Sequence, residues 1–211
     1  LSKAAEEAAP KQKSTFREYA EAIVMAVVLA LFIRTFVVQA FKIPSGSMKP
    51  TLQVGDHILV SKFIYGVKLP FLDTTIIPVT QPKKDDVIVF VFPEDRTKDF
   101  IKRVVGVAGN VIEIRNKQLY INGQPANNPH AVYTDQRVMP SEIYPRDNLK
   151  PLVVPKDSLF VMGDNRDQSY DSRYWGFVPL RDVRGRAFLI YWSWEELGLG
   201  VRWGRLGHVV S

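Results

Sequence analysis

The chain has 211 residues, 46% of them hydrophobic and 11% aromatic, which is enough for one good-sized globular domain or one domain carrying an insertion. It contains no cysteine, and this excludes a disulfide framework, a thiol nucleophile and cysteine metal sites. Its 28 basic and 22 acidic residues give a net charge of +6 that is dispersed, without a helix-turn-helix, zinc-finger or aromatic RNA-binding pattern. No nucleic-acid partner is therefore expected, and a basic surface of this kind suits anionic lipid headgroups instead.

Lys3, Lys11, Lys13 and Arg17 lead into an unbroken apolar run at 23–33. That run alone is short for a bilayer span of about 20 residues. The stretch 20–41 is long enough if Glu21 and Gln39 lie at the two interfaces and Arg34 snorkels. The reading is a cytoplasmic tail over 1–18 and a transmembrane helix over 19–40, and the positive-inside rule places everything after Phe41 outside. A buried amphipathic helix and a signal peptide cleaved after Val38-Gln39-Ala40 are the competing readings, the second disfavoured by the long leading region. The chain opens on Leu1 rather than methionine, so an incomplete N-terminus is expected.

Beyond this segment the pattern changes to period two and short apolar runs, which predicts strands at 57–60, 87–92 and 101–107. Val111-Ile112-Glu113-Ile114 and Gln118-Leu119-Tyr120-Ile121 flank Arg115-Asn116-Lys117 as a hairpin, closed by Asn122-Gly123. Pro125, Pro129, Pro140, Pro145, Pro151 and Pro155 then oppose long regular elements, so 109–156 reads as an inserted lobe. Strands resume at Leu159 and at 187–192. The expected class is mostly β: an antiparallel β-sheet catalytic domain built from 41–108 and 157–211, with an inserted β/loop lobe, preceded by the N-terminal transmembrane helix.

Chemistry concentrates in three segments. Pro44-Ser45-Gly46-Ser47-Met48-Lys49-Pro50-Thr51-Leu52 offers a serine nucleophile, and Phe100-Ile101-Lys102-Arg103-Val104-Val105-Gly106-Val107 offers a lysine. A serine hydroxyl needs a base, usually histidine, but His57, His130 and His208 all sit in segments unsuited to that role. Lysine can serve if burial removes its charge. Holding the free base at pH 7 against a pKa of about 10.4 costs about 4 to 5 kcal/mol, which apolar flanks and the neighbouring cation Arg103 would help to supply. Lys102 alone reads as an exposed lysine on an ordinary strand. The third segment weighs against that: Gly163-Asp164-Asn165-Arg166-Asp167-Gln168-Ser169-Tyr170-Asp171-Ser172-Arg173 is a polar loop bracketed by Leu159-Phe160-Val161-Met162 and Tyr174-Trp175-Gly176-Phe177-Val178. Such a loop can hold and aim catalytic groups.

In this order the three segments, with Gly55-Asp56-His57-Ile58-Leu59-Val60, Arg184-Gly185-Arg186-Ala187 and Val201-Arg202-Trp203-Gly204-Arg205, resemble the bacterial type I signal peptidases, or leader peptidases, from Ala20 onward. The resemblance implies Ser47 as nucleophile and Lys102 as general base, with the Ser45 hydroxyl and the Ser47 amide holding the oxyanion and Ser169 orienting the amine. It implies Asp164 with Arg103 and Asp171 with Arg173 as supporting ion pairs. Phe41, Ile43, Pro44, Leu52, Phe100 and Ile101 would line shallow pockets that admit alanine, and Phe71, Leu72 and Ile76 would dip into lipid. Where the family reads Pro-Gly-Asp, this chain reads Ala108-Gly109-Asn110, a change that leaves the turn and the catalytic groups in place.

The implied activity is that of a membrane-anchored serine endopeptidase removing signal peptides from exported preproteins after an Ala-x-Ala-like site. Its implied partners are preprotein signal peptides, membrane lipids and, transiently, the secretion translocon. Its place would be the bacterial inner membrane, with the catalytic domain on the periplasmic or extracellular face. No metal or organic cofactor is implied, since no His-Glu metal motif or phosphate loop occurs. Two other readings remain open: a self-cleaving Ser-Lys repressor, which would call for a DNA-binding helix pair, and an anchored protein that binds exported chains without cutting them.

Overall fold

The computed structural model describes residues 15–65, 67–68, 75–77, 80–140, 144–196 and 200–211. Its first element, α1 (Thr15–Phe32), carries Arg17, Glu18 and Glu21 near its start and is apolar from Ala22 onward. The chain then makes a π-helical turn, Ile33–Val37, before entering a sheet. The expected span of 19–40 is thereby corrected at its end: Val38, Gln39 and Ala40 are strand residues, paired with Ser61, Val60 and Leu59. β-Branched Val37 and Val38 lead into that pairing, which ends the helix. No helix among the described residues is long and apolar enough to cross a membrane. Phe71, Leu72 and the side chain of Ile76 lie outside the described residues, as do Lys3, Lys11 and Lys13.

The strands follow as β1 (Val38–Lys42), β2 (Asp56–Ser61), β3 (Val67–Lys68), β4 (Thr75–Ile77), β5 (Val87–Val91) and β6 (Asp99–Val107). Next come β7 (Val111–Arg115), β8 (Gln118–Ile121), β9 (Gln124–Pro125), β10 (Leu149–Val153) and β11 (Ser158–Met162). A short helix α2 (Ser172–Trp175) precedes β12 (Val178–Pro179), β13 (Val183–Ser193) and β14 (His208–Val209). Among the described residues an eight-stranded sheet runs β1-β2-β13-β5-β6-β11-β12, with β14 on β13, and a four-stranded sheet runs β10-β7-β8-β9. β3 and β4 form a separate pair. The pairings within these sheets are antiparallel.

Burial follows the sequence pattern. β2 alternates buried and half-buried residues, as period two requires, whereas β5, Val-Ile-Val-Phe-Val, is buried throughout because both faces of the large sheet are covered there. One core cluster gathers Ile43, Met48, Leu52, Ile58, Val60 and Ile190 with Val87 and Val89 on one face of β5. A second, with Ile88, Phe90, Val104, Val161 and Val183, covers the opposite side.

The four-stranded sheet is built from chain that leaves β6 and returns at β11, two strands that pair with each other. Its Ile112, Ile114 and Leu119 share a cluster with Val105, Phe160 and Met162 of the large sheet. Each fully buried side chain of this size contributes about 1.5 to 3 kcal/mol, so the two sheets are held by a common core rather than by a linker alone. Prolines did not exclude regular structure here. β10 runs through Pro151, tolerated because β10 is an edge strand whose register slips between Leu149 and Leu152. The hairpin turn uses Asn116 and Lys117, both at positive φ, and Gly109 takes φ +84° in the turn after β6. Asn110 keeps ordinary φ and accepts from the Val107 amide through Oδ1 at 3.0 Å, a bond to a short side-chain oxygen that closes the turn.

Candidate active site

β6 is the element that sets the chemistry. It lies between β5 and β11, and its successive side chains point to opposite faces, so Lys102 and Arg103 part company at once. Lys102 is 4% exposed and its Nζ donates to the Oγ of Ser47 at 2.9 Å and to the carbonyl of Ile101 at 3.0 Å. Ser47 sits on a 3₁₀ turn, Gly46–Met48, anchored by the fully buried Met48 in the first core cluster. Nucleophile and base candidates, 55 residues apart in sequence, are therefore brought to bonding distance by two independently anchored elements.

Burial is the principal reason that the Lys102 ammonium is pushed down, from its usual 10.5 to about 8; Asp171 raises it again, Arg173 lowers it and Asp164 raises it slightly. The free base at pH 7 then costs about 1 kcal/mol instead of the 4 to 5 required of a solvated lysine. Arg103 is not the cation that helps, as the sequence had suggested. The pleat carries it to the other face, where it is 1% exposed and grips Asp164 with Nε and Nη2, both at 2.8 Å. Asp164 also accepts from Thr51 Oγ1 at 2.6 Å, which joins this pair to the serine segment.

The polar loop supplies the rest. Arg173 binds Asp171 through Nε at 2.8 Å and Nη2 at 2.9 Å. Burial pushes the Asp171 carboxyl up, but the charge and hydrogen bonds of Arg173, with the Ser169 hydroxyl and the Gly163 amide, outweigh it and hold the group below the usual carboxylate range. Ser169 is buried with its hydroxyl beside the Asp171 carboxylate, and no hydrogen bond joins it to the Lys102 amine. Ser169 packs instead against Gly163: a Cβ at 163 would stand 2.3 Å from Ser169 Oγ and 2.4 Å from the Ser47 carbonyl oxygen. Glycine is thus required for the loop to approach the serine turn this closely.

A cleft of about 510 Å³ opens beside the pair, lined by Pro44, Ser45, Ser47, Phe100, Ile101 and Lys102 and also by Lys98, Asp99, Gln168 and Tyr170. Ser45 is exposed on its rim. Three of the residues expected in the pockets are elsewhere. Ile43 (2% exposed) and Leu52 (0%) belong to the first core cluster, and Phe41 packs against that cluster from β1. The resemblance implied pocket walls for all three, whereas their apolar side chains are used in packing against the core.

Sequence reasoning missed several contributors. Asn165 donates its amide to the Ser47 carbonyl at 3.1 Å and its Nδ2 to the Gly46 carbonyl at 3.4 Å, tying loop to serine turn. Tyr170 lines the cleft with its hydroxyl on Glu94 at 2.9 Å. Both lie in the segment already singled out; only their direction was unreadable. His57 meets the edge of Tyr191 at 5.9 Å. Among the described residues no group of three or more His, Cys, Asp or Glu side chains is arranged to hold a metal.

The family model described as "Signal peptidase, peptidase S26" matches residues 16–192. The chain belongs to the S26 signal peptidase family. It is similar to "Signal peptidase I" of Pseudomonas aeruginosa, 38% identical over 208 residues that cover 85% of this chain and 73% of the relative. It is likewise 38% identical to that of Pseudomonas fluorescens, with the same coverage, and 37% identical to that of Leptolyngbya laminosa over 90% of this chain and 86% of the relative. Membership makes this chain a serine peptidase of the signal-peptidase type.

Proposed function

We propose that the protein is a membrane-anchored endopeptidase that removes signal peptides from exported preproteins by acyl transfer to Ser47 and then to water, with Lys102 as general base. The observation that carries this reading is the 2.9 Å bond between two side chains that are both nearly buried, one of them a lysine whose pKa falls to about 8. In the mechanism, neutral Lys102 takes the Ser47 proton as Oγ attacks the carbonyl carbon of the scissile bond. The Ser47 amide and the Ser45 hydroxyl face the oxyanion, and protonated Lys102 then gives its proton to the departing amine. Water, deprotonated by the same lysine, cleaves the acyl-enzyme and regenerates Ser47.

The cleft supports an Ala-x-Ala-like preference: Pro44, Phe100 and Ile101 give it apolar walls next to Ser47, which suits small side chains. Asp164, Arg103, Asp171 and Arg173 serve as the buried scaffold of the loop, and orienting the amine is the role this reading gives to the buried Ser169. Membrane anchoring is supported by α1, where Ile23, Val24, Met25, Val28, Leu29 and Phe32 are each more than half exposed, an apolar surface that water does not favour. Preprotein signal peptides, lipid and the translocon are the partners of this reading, and the outer face of the bacterial inner membrane is its place.

The test is incubation of the detergent-solubilised protein with a labelled preprotein, with N-terminal sequencing of the product. Cleavage directly after the small residue, absent from Ser47→Ala, is the expected result. Full turnover by Ser47→Ala would remove the assignment, and binding without any cleavage by the unaltered protein would favour the anchored binder.

A further inference from the structure

The inference that follows rests on the Ser47–Lys102 reading. The polar loop touches the serine turn on one side and the lobe on the other. On the first side the Asn165 amide meets the Ser47 carbonyl and Gly163 lies against it. On the second, Val132 exchanges backbone hydrogen bonds with the loop, its amide to the Asp164 carbonyl at 2.7 Å and its carbonyl from the Arg166 amide at 2.9 Å.

The side chain of Asp167 deepens this second contact. It is 2% exposed, accepts from Lys117 Nζ at 2.8 Å through one oxygen and from the Asp135 amide at 2.7 Å through the other. Lys117 sits at the tip of the β7–β8 hairpin and also donates to the Asp135 carbonyl at 2.5 Å. Arg146 completes the cluster, bonded to Asp147 at 2.7 Å and lying 3.8 Å from Asp167. Its backbone carbonyl receives Arg173 Nη1 at 2.7 Å, and the Arg166 carbonyl receives Arg173 Nη2 at 2.5 Å. The lobe therefore supplies one acceptor of the Arg173 guanidinium, the Arg146 carbonyl, and holds the Arg166 segment that supplies the other through the Val132 carbonyl.

We propose that Asp167 and Lys117 are positioning residues: the lobe, through this partly buried pair, holds the polar loop so that Gly163, Asn165 and Arg173 keep Ser47 and Lys102 in reacting geometry. The pair is more than a solvated surface contact: the Asp167 carboxylate is 2% exposed, the Lys117 side chain is 12% exposed, and a carboxylate so withdrawn from water relies on its cation and on the Asp135 amide. Displacing reacting groups by about 1 Å can cost about 100-fold in rate, so a lobe remote from the cleft can govern turnover.

The groups that face Lys102 are Ser47, Asp171, Arg173, Asp164 and the Phe100 ring, whose centroid lies 5.3 Å from Nζ. Loosening the loop readmits water, and because burial is the principal cause of the depressed Lys102 pKa, that value rises. Asp167→Asn and Lys117→Gln in the full chain should therefore lower kcat for a preprotein about tenfold, change KM less than about twofold, and move the acidic limb of the pH profile upward. Lys117→Arg, which keeps the charge, should recover both rate and limb. If Asp167→Asn does not fold, the comparison of Lys117→Gln with Lys117→Arg decides by the same criteria.

Unchanged kcat and acidic limb in the folded variants would overturn the inference. So would a loss of activity that only tracks the folded fraction in circular dichroism, with the limb unmoved. Ser47→Ala is assayed in parallel: if it cleaves, the Ser47–Lys102 reading fails and this inference with it. If it is inactive while Asp167→Asn and Lys117→Gln behave as wild type, only the inference fails.

Discussion

Lys102→Met is expected to reduce preprotein cleavage by about 10⁴-fold while leaving the fold as stable as before, or more so. The loss follows from removing the only side chain that bonds Ser47 Oγ among the described residues. The stability follows from the cost of keeping a lysine where it is. A folded-state pKa of about 8 against the usual 10.5 means that the unfolded chain binds more protons between those values, so wild-type stability rises with pH across that window. Below pH 8 the penalty is present in full, about 3 kcal/mol at roughly 1.36 per unit. Methionine has similar length, no charge and a tolerance for irregular apolar space. Thermal unfolding at pH 6.5 and pH 10 checks this: the variant's advantage should shrink at the higher pH. A variant markedly less stable than wild type at pH 6.5 would show that Lys102 contributes to folding rather than burdening it.

Arg103→Met, one residue along the same strand, is expected to do the reverse. Arg103 and Asp164 are both essentially inaccessible, and removing the guanidinium leaves a buried carboxylate with Thr51 as its remaining side-chain partner. Breaking such a pair costs about 3 to 5 kcal/mol, because the stranded charge has neither water nor counterion. A urea titration should show the midpoint fall accordingly, and combining Arg103→Met with Asp164→Leu should recover much of the loss. A shift below about 1 kcal/mol for the single variant would mean that the pair is a surface-like interaction, worth little.

These neighbours also show what the sequence could and could not reveal. Period two identified β6 as a strand and its apolar flanks as buried, and the same period already implies that Lys102 and Arg103 point apart. Reading Arg103 as an electrostatic aid to Lys102 overlooked this; the cation that lowers the lysine is Arg173, 71 residues later and unreachable by local pattern. The pairs Arg103 with Asp164 and Arg173 with Asp171, both formed in the structure, were implied by the family resemblance; local pattern could not choose them, since the same loop also offers Arg166 and Asp167.

Elsewhere the limits are those of one-dimensional information. Ile43 and Leu52 look equally apt for a pocket or a core, and only packing against Met48, Ile58 and Ile190 decides for the core. The end of the helix at Val37 depends on an edge formed by β2, far enough along the chain that hydropathy alone runs past it. Pro151 argued against long regular elements, and the five-residue strand that does pass through it is an edge strand with a slipped register, where a missing N–H is tolerated. Gly163 and Asn165 carry no signature of their own. Their importance arises from the Ser47 carbonyl, which the fold brings against them.

The measurement closest to the centre of this account is the titration of the Lys102 amine itself. Carbon-13 NMR of lysine Cε, with the Lys102 signal assigned by its absence in Lys102→Met, should give a midpoint near pH 8. A midpoint near 10.5, shared with the exposed lysines, would contradict a buried base poised to serve Ser47.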